Sequence, residues 1–302
     1  MRSGAKRDKR PRVLVIYKKS AYQIYVRERK NQHIQKLVEE GDPTVRNILA
    51  ADAAHVETID EVKRAGKALG VRMSLRYRSD EVHVEDYELI VTVGGDGTLL
   101  WASHRVPPGL PVLAINSAPH HSVGHFCGGR KGEVQANIAA ALAGELEATR
   151  LTRMQVRIDG EVVHRRVLND ALFCHKSPAA TTRYLMNVNG EEEAQKSSGI
   201  WIGPSAGSTA AQRSAGGRIL PPGSRKIQFV VREPYNPPEG PYRFRRGTLA
   251  PGEVLRLASQ VREGRVFLDG PHVVHEVSVG SLLEMERSEE SLTLLAFPRA
   301  SG

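Results

Sequence analysis

Cysteine is nearly absent: Cys127 and Cys174 are the only two in 302 residues. Two thiols cannot build a disulfide framework and their spacing matches no metal-ligand pattern, so both are read as free thiols of a reducing compartment. Long apolar runs are missing as well. No stretch approaches the roughly eighteen consecutive apolar residues of a membrane helix, and the basic segment 1–11 lacks the apolar centre of a secretory signal. The expectation is a soluble, cytoplasmic protein without a membrane partner. Acidic residues are the minority, leaving a formal net charge of +9. Apart from the first dozen residues and Arg243-Phe244-Arg245-Arg246, however, the positive side chains are spread along the chain. Spread basicity suits solubility or an anionic small molecule, and no nucleic acid is expected as a partner. Two nucleotide signatures are also lacking: there is no Gly-x-x-x-x-Gly-Lys-Ser/Thr, and Leu100 stands where a Gly-x-Gly-x-x-Gly pattern needs its third glycine.

What is present is length enough for two domains and a change of period between them. Residues 12–17 read as a first buried strand, 18–43 as a polar loop with some helix, 44–69 as a helix ended by Gly70, and 71–77 as a second strand. Further buried strands fall at 87–93 and 111–115, and residues 132–146 carry apolar side chains every four positions. This βαβ rhythm predicts a Rossmann-like parallel sheet covered by helices over 12–150, preceded by a basic disordered tail at 1–11. After Arg150 alternation takes over. Asp159-Gly160, Asn189-Gly190 and Asp269-Gly270 are read as hairpin turns, which predicts an antiparallel, β-sandwich-like domain over 151–280. Residues 281–302 are expected to return to the first domain.

The most informative stretch is Gly94-Gly95-Asp96-Gly97-Thr98, directly after the strand 87–93. Glycines there let backbone approach a ligand, and free N–H groups at the start of a following helix favour an anion such as phosphate. A carboxylate in such a cradle is electrostatically awkward. Asp96 is therefore the candidate catalytic residue, able to take a proton from an attacking hydroxyl or to sit beside a cation on the phosphates. In the second half Asn169-Asp170 pairs an amide with an acid. Residues 197–217 are rich in glycine and hydroxyls around an Ile200-Trp201-Ile202 centre, which offers backbone approach and several donors. The group His120, His121, His125 and Cys127 fits no zinc spacing and is read as a polar pocket loop, with His125 facing substrate.

Taken in order, Gly94-Gly95-Asp96-Gly97-Thr98, Asn169-Asp170 and Gly207-Ser208-Thr209-Ala210 followed by Ser214-Ala215-Gly216-Gly217 resemble the NAD kinase family. The first motif alone is shared with diacylglycerol and sphingosine kinases and approximately with phosphofructokinases. Ala114-Ile115-Asn116-Ser117 and Ser122-Val123-Gly124-His125-Phe126-Cys127 resemble its mitochondrial-type branch. The resemblance implies transfer of phosphate from ATP, or polyphosphate, to the 2′-hydroxyl of the adenosine ribose of NAD, giving NADP. Asp96 would be the base. Gly94, Gly95, Gly97 and Thr98 would bind the ATP phosphates, with Mg²⁺ carried by the nucleotide near Asp96 and no direct protein ligand otherwise. Asn169, Asp170, Ser208, Thr209, Ala210 and Ser214, with His125, would bind the dinucleotide. The family usually forms homodimers or homotetramers. Four positions depart from its pattern: Ser198 replaces an acid, Ala206 a threonine and Ala211 a tyrosine, and Asp170 stands where glutamate is usual. These departures keep two alternatives in view, a kinase of the same superfamily with a lipid, sugar or other nucleoside acceptor, and a non-catalytic nucleotide sensor.

Overall fold

The structure is a computed structural model that describes residues 10–238 and 240–296. Most of the expected tail at 1–11, and the end of the segment expected at 281–302, lie outside the described residues. The chain divides into two units, one made of 1–102, 109–148 and 293–302, the other of 103–108 and 149–292.

In the first unit the apolar, β-branched segments become strands β1 (Arg12–Tyr17), β2 (Arg72–Tyr77), β3 (Leu89–Gly94), β4 (Pro111–Asn116) and the short β5 (Gly129–Arg130). Strand β3 is buried along its whole length, as a central strand of a parallel sheet must be. It pairs in parallel with β1 and β4, and β1 pairs in parallel with β2. Helix α1 (Gln32–Glu39) and a short wide helical turn at Gln23–Glu28 interrupt the polar stretch after β1. Helix α2 (Ile48–Ala68) starts four residues later than its periodicity suggests, because the Asp42 carboxylate captures the Thr44 amide at 2.8 Å and holds a turn there. Helix α3 (Asp96–Ser103) follows β3 after a single residue, and α4 (Val134–Ala143) ends on Gly144 in the left-handed conformation. Val62 and Ala65 of α2 and Val134 and Ile138 of α4 pack on Val13, Val15, Val91, Val93, Leu113 and Ile115 of the sheet.

Strand β6 (Glu147–Leu151) joins the edge of this sheet, and the second unit then runs through two antiparallel six-stranded sheets. Its strands are β7 (Met154–Ile158), β8 (Glu161–Val167), β9 (Ala171–His175), β10 (Thr182–Val188), β11 (Glu191–Ser197) and β12 (Ile200–Pro204). They continue with β13 (Ile227–Val231), β14 (Arg246–Leu249), β15 (Val254–Ser259), β16 (Gly264–Leu268), β17 (Val273–Val277) and β18 (Leu282–Arg287). The sheet orders are β11-β10-β15-β18-β7-β8 and β14-β13-β12-β9-β16-β17. Inward residues of both, including Met154, Val156, Tyr184, Met186 and Leu257 from one and Phe173, Ile202, Phe229 and Val266 from the other, form one core. That is the arrangement of a β-sandwich. The last strand, β19 (Leu292–Ala296), pairs in parallel with β4 of the first sheet.

Asp159-Gly160 and Asn189-Gly190 are two-residue turns with φ of 52° and 85°, and of 53° and 87°, the left-handed pair that a type I′ hairpin demands. The connection at Asp269-Gly270 is longer. Leu268 pairs with Val273, so four residues form that loop, and Pro271 has no N–H to extend the ladder.

Segment 103–108 goes with the second unit for a reason visible in one side chain. Arg153 is fully buried, and its guanidinium donates to the carbonyls of Ser103 at 2.8 Å, Val106 at 2.9 Å and Ser291 at 2.9 Å. A buried charge is tolerated only when its donors are met, and here, with the bond from Nε to Glu290 O at 2.5 Å, four carbonyls meet them.

Candidate active site

The first constellation is built at the end of β3, inside the first unit. The chain leaves the buried strand at Gly94 and enters α3 at Asp96, so only Gly95 separates sheet from helix. Sterics account for two of the glycines. A Cβ on Gly94 would overlap the Thr98 hydroxyl, and one on Gly95 would lie 2.7 Å from Ser122 Oγ. Gly97 differs: a Cβ there would meet nothing within 4 Å, so no protein neighbour requires glycine at that exposed position. Thr98 is 2% exposed and its hydroxyl has no partner among the described residues.

The Asp96 carboxylate is oriented by the loop after β4. Its Oδ2 accepts the His125 amide at 2.8 Å and its Oδ1 the Phe126 amide at 2.9 Å. Two charge-assisted bonds to backbone fix the carboxylate while lone pairs remain free. The same negative charge, after burial itself, raises the Cys127 thiol to about 12, so that neighbour stays protonated and inert. His125 therefore meets Asp96 through its backbone, and its ring is exposed and set edge-on to Phe126 at 5.1 Å. The loop is pinned from below by Asn116, whose side chain donates to Ser122 O at 2.9 Å and accepts from Ala118 N at 3.1 Å. Ser117 N donates to Gly94 O at 2.9 Å. His55, buried on α2, bridges Ser117 Oγ at 2.8 Å and Lys18 O at 2.7 Å. Since a carbonyl only accepts, Nε2 carries the proton and Nδ1 accepts from the serine; burial lowers the imidazole pKa and favours this neutral form.

The second constellation lies in the second unit. Asn169 and Asp170 occupy the short link between β8 and β9, and Asp269, seen in sequence only as a turn residue, holds them. The Asp269 side chain is 1% exposed and accepts the amides of Leu168, Asn169 and Asp170 at 2.8, 2.7 and 3.0 Å, plus His104 Nε2 at 2.7 Å. Asn169 Nδ2 donates to Asp170 Oδ2 at 2.7 Å. Burial, then the nearby Asp269 charge, pushes the Asp170 carboxyl up to about 7.

The glycine-rich stretch packs on this link. A Cβ on Gly207 would run into the Asn169 carbonyl, and Gln212 Nε2 reaches the same oxygen at 3.4 Å. Asn169, Asp170 and residues 203–212 are thus one local unit. Within it the individual residues differ. Ser208 is fully buried, and its hydroxyl donates to Ser205 O at 2.6 Å and accepts from Leu220 N at 2.9 Å, so it serves the fold of the turn. Thr209 is half-buried, while Ala210 and Ser214 are exposed. Of the departing positions, Ala206 is buried, Ala211 is half-buried, and Ser198 lines a cavity with Cys174, Lys176 and Arg232.

Sequence reasoning gave no role to Asp269, Gln212 or His55, and met Asn116 only inside the motif at 114–117. The one local cue was the Asp-Gly pair at 269–270, which announces a turn and says nothing about a carboxylate turned inward.

The sequence model of the ATP-NAD kinase N-terminal domain matches residues 8–146. A probable NADH kinase of Oryza sativa subsp. japonica is 31% identical over 263 residues, covering 80% of this chain and 81% of its own length. An NADH kinase of Arabidopsis thaliana is 32% identical over 231 residues, covering 69% of this chain and 73% of its own length. Among solved structures, an NAD kinase from Archaeoglobus fulgidus in complex with ATP superposes with a TM-score of 0.68 at 19% identity, covering 94% of this chain and 92% of that one. At that identity the superposition speaks for the fold.

Proposed function

This chain belongs to the NAD kinase family, and from that premise we propose that it phosphorylates the 2′-hydroxyl of the adenosine ribose of NAD or NADH. ATP, or polyphosphate, is the donor and Mg²⁺ accompanies it. The observation that carries this reading is Asp96 at the first turn of α3, in a glycine loop after a fully buried strand, its carboxylate aimed by two backbone N–H groups. A carboxylate so placed takes the proton of the attacking hydroxyl while the loop's N–H groups and the positive end of α3 bind phosphate. Among the described residues no three His, Cys, Asp or Glu side chains cluster to hold a metal. A single carboxylate beside a phosphate site nevertheless fits Mg²⁺, which is commonly held by one or two carboxylates together with the nucleotide. When bound, the ion neutralises phosphate charge. Asn169, Asp170, Thr209, Ala210 and Ser214 form the acceptor side of the reading.

NADH is favoured over NAD as acceptor by one observation: the Oryza and Arabidopsis relatives, which align with this chain over more than two thirds of both lengths at 31% and 32% identity, are a probable NADH kinase and an NADH kinase. The reading extends to a cytoplasmic enzyme that assembles as a homodimer or homotetramer, which light scattering on the purified protein tests.

The decisive experiment incubates purified protein with ATP, Mg²⁺ and either NAD or NADH. NADP or NADPH is expected, and Asp96→Asn should lower kcat at least about a hundredfold while leaving the fold intact. Absence of either product with every donor tried sinks the proposal.

A further inference from the structure

Two lysines follow β1, and they differ in a way the reaction described above does not use. Lys19 is internally satisfied, with its ammonium 2.8 Å from Glu28 and 4.7 Å from the centre of the Tyr77 ring. Lys18 is half-buried, and among the described residues no carboxylate forms an ion pair with it. The charged group that acts on it is Arg78, of the same sign, so burial first and then repulsion lower its pKa. Desolvating a cation beside a like charge costs free energy that no carboxylate among the described residues offsets by an ion pair.

The position of Lys18 indicates where the offset comes from. Its backbone is fastened twice, N–H to Val93 O at 3.4 Å and carbonyl to the His55 ring at 2.7 Å. Its side chain runs beside the phosphate loop, with Cδ 3.4 Å from where a Gly94 Cβ would stand. The orphan hydroxyl of Thr98 crowds that same point. Among the described residues Asp96 forms no ion pair with the lysine either, and its oxygens accept the amides of His125 and Phe126. An unpaired cation, an unpartnered buried hydroxyl and the N-terminus of an eight-residue helix therefore meet at one glycine.

We propose that Lys18 is a further substrate-binding residue of this site, its ammonium contacting the negatively charged phosphate chain of the donor. The assignment rests on the phosphotransferase reading. It ascribes to Lys18 the donor alone, because the lysine stands beside the glycine loop of the first unit. Lysine acts here as a point charge on a flexible stem, a role that arginine fills in part and methionine, of similar length, does not.

The test is direct binding to wild type, Lys18→Met and Lys18→Arg, measured calorimetrically with ATP, with tripolyphosphate and with NADH. Tripolyphosphate has neither base nor ribose and so reports the phosphate contact alone. Lys18→Met should weaken ATP and tripolyphosphate at least about tenfold each and leave NADH within about twofold, and Lys18→Arg should recover most of the loss. In turnover the same variant should raise KM for ATP and not KM for NADH. Undiminished binding of ATP and tripolyphosphate by Lys18→Met overturns the assignment, as does an equal loss of ATP and NADH, which marks a merely structural residue. If wild type itself binds none of the three, the phosphotransferase reading falls and this assignment with it; if wild type binds and Lys18→Met binds equally, only the assignment falls.

Discussion

Replacing Asp170 by asparagine should make the protein more stable at pH 8. Asp170 is 5% exposed and its carboxyl is raised from the ordinary 3.8 to about 7, by burial first and then by the Asp269 charge, with the Asn169 amide opposing. A folded-state pKa above the unfolded value means that the native chain binds this proton more tightly than the unfolded chain does. Native stability from this group is thus fully present below about pH 4, falls as pH rises towards 7, and stays at its lower value beyond. At ~1.4 kcal/mol per pH unit the span from 3.8 to about 7 corresponds to about 4 kcal/mol at most. Asparagine keeps the shape and the acceptor for Asn169 but carries no charge at any pH. The variant should therefore exceed wild type by up to about 4 kcal/mol at pH 8, with the two converging near pH 4. For a unit of this size each kcal/mol moves Tm by about 2–4 °C, so an upward shift of several degrees is expected. The assay is guanidinium or thermal unfolding of both proteins at half-unit steps from pH 4 to 8, read as a difference. The difference cancels His164, whose pKa is lowered to about 4 by burial and the neighbouring His104 and whose contribution runs oppositely, being lost as pH falls from 6.5 towards 4. A variant less stable than wild type at pH 8, or a difference that does not change with pH, would refute the reasoning.

Two further substitutions probe the scaffold. Gly207→Ala should destabilise by 3 kcal/mol or so, because its Cβ meets the Asn169 backbone, which cannot swing away as a side chain tip can; a variant as stable as wild type in urea would contradict this. Asp269→Ala strands the amides of Leu168, Asn169 and Asp170 together with His104, and a loss of about 3–5 kcal/mol is expected. The same change should lower the midpoint of Asp170, since one of the two causes of its elevation is gone, and a carboxyl signal followed by NMR that does not move would argue against that coupling.

The two scaffold variants act on parts of the molecule that differ in how openly the sequence declares them. Gly94 to Thr98 was legible because each feature is local: apolar β-branched residues make the buried strand, glycines release the turn, and Thr98 and its apolar successors begin the helix. The hairpin turns at 159–160 and 189–190 were legible for the same reason, as a left-handed pair of residues is written in the Asx-Gly dipeptide itself. At Ser208 composition marks a hydroxyl-rich stretch without saying which hydroxyls the turn consumes, and the structure engages this one with Ser205 O and Leu220 N.

Taken alone, then, the order of residues determined the parallel and antiparallel halves, the glycine turn after β3 and the place of Asp96 in it, all of which depend on periodicity or on neighbours within a few positions. Only the tertiary structure decided that Arg153 gathers the carbonyls of 103–108 into the second unit, that Asp269 turns inward to hold residues 168–170 a hundred positions away, and that among the described residues Lys18 has no ion pair beside Gly94 while Lys19 has one. The physical reason is the same in each case. Whether a charge is buried, and what meets it there, is set by groups that approach through space from distant parts of the chain, and no local pattern encodes their arrival.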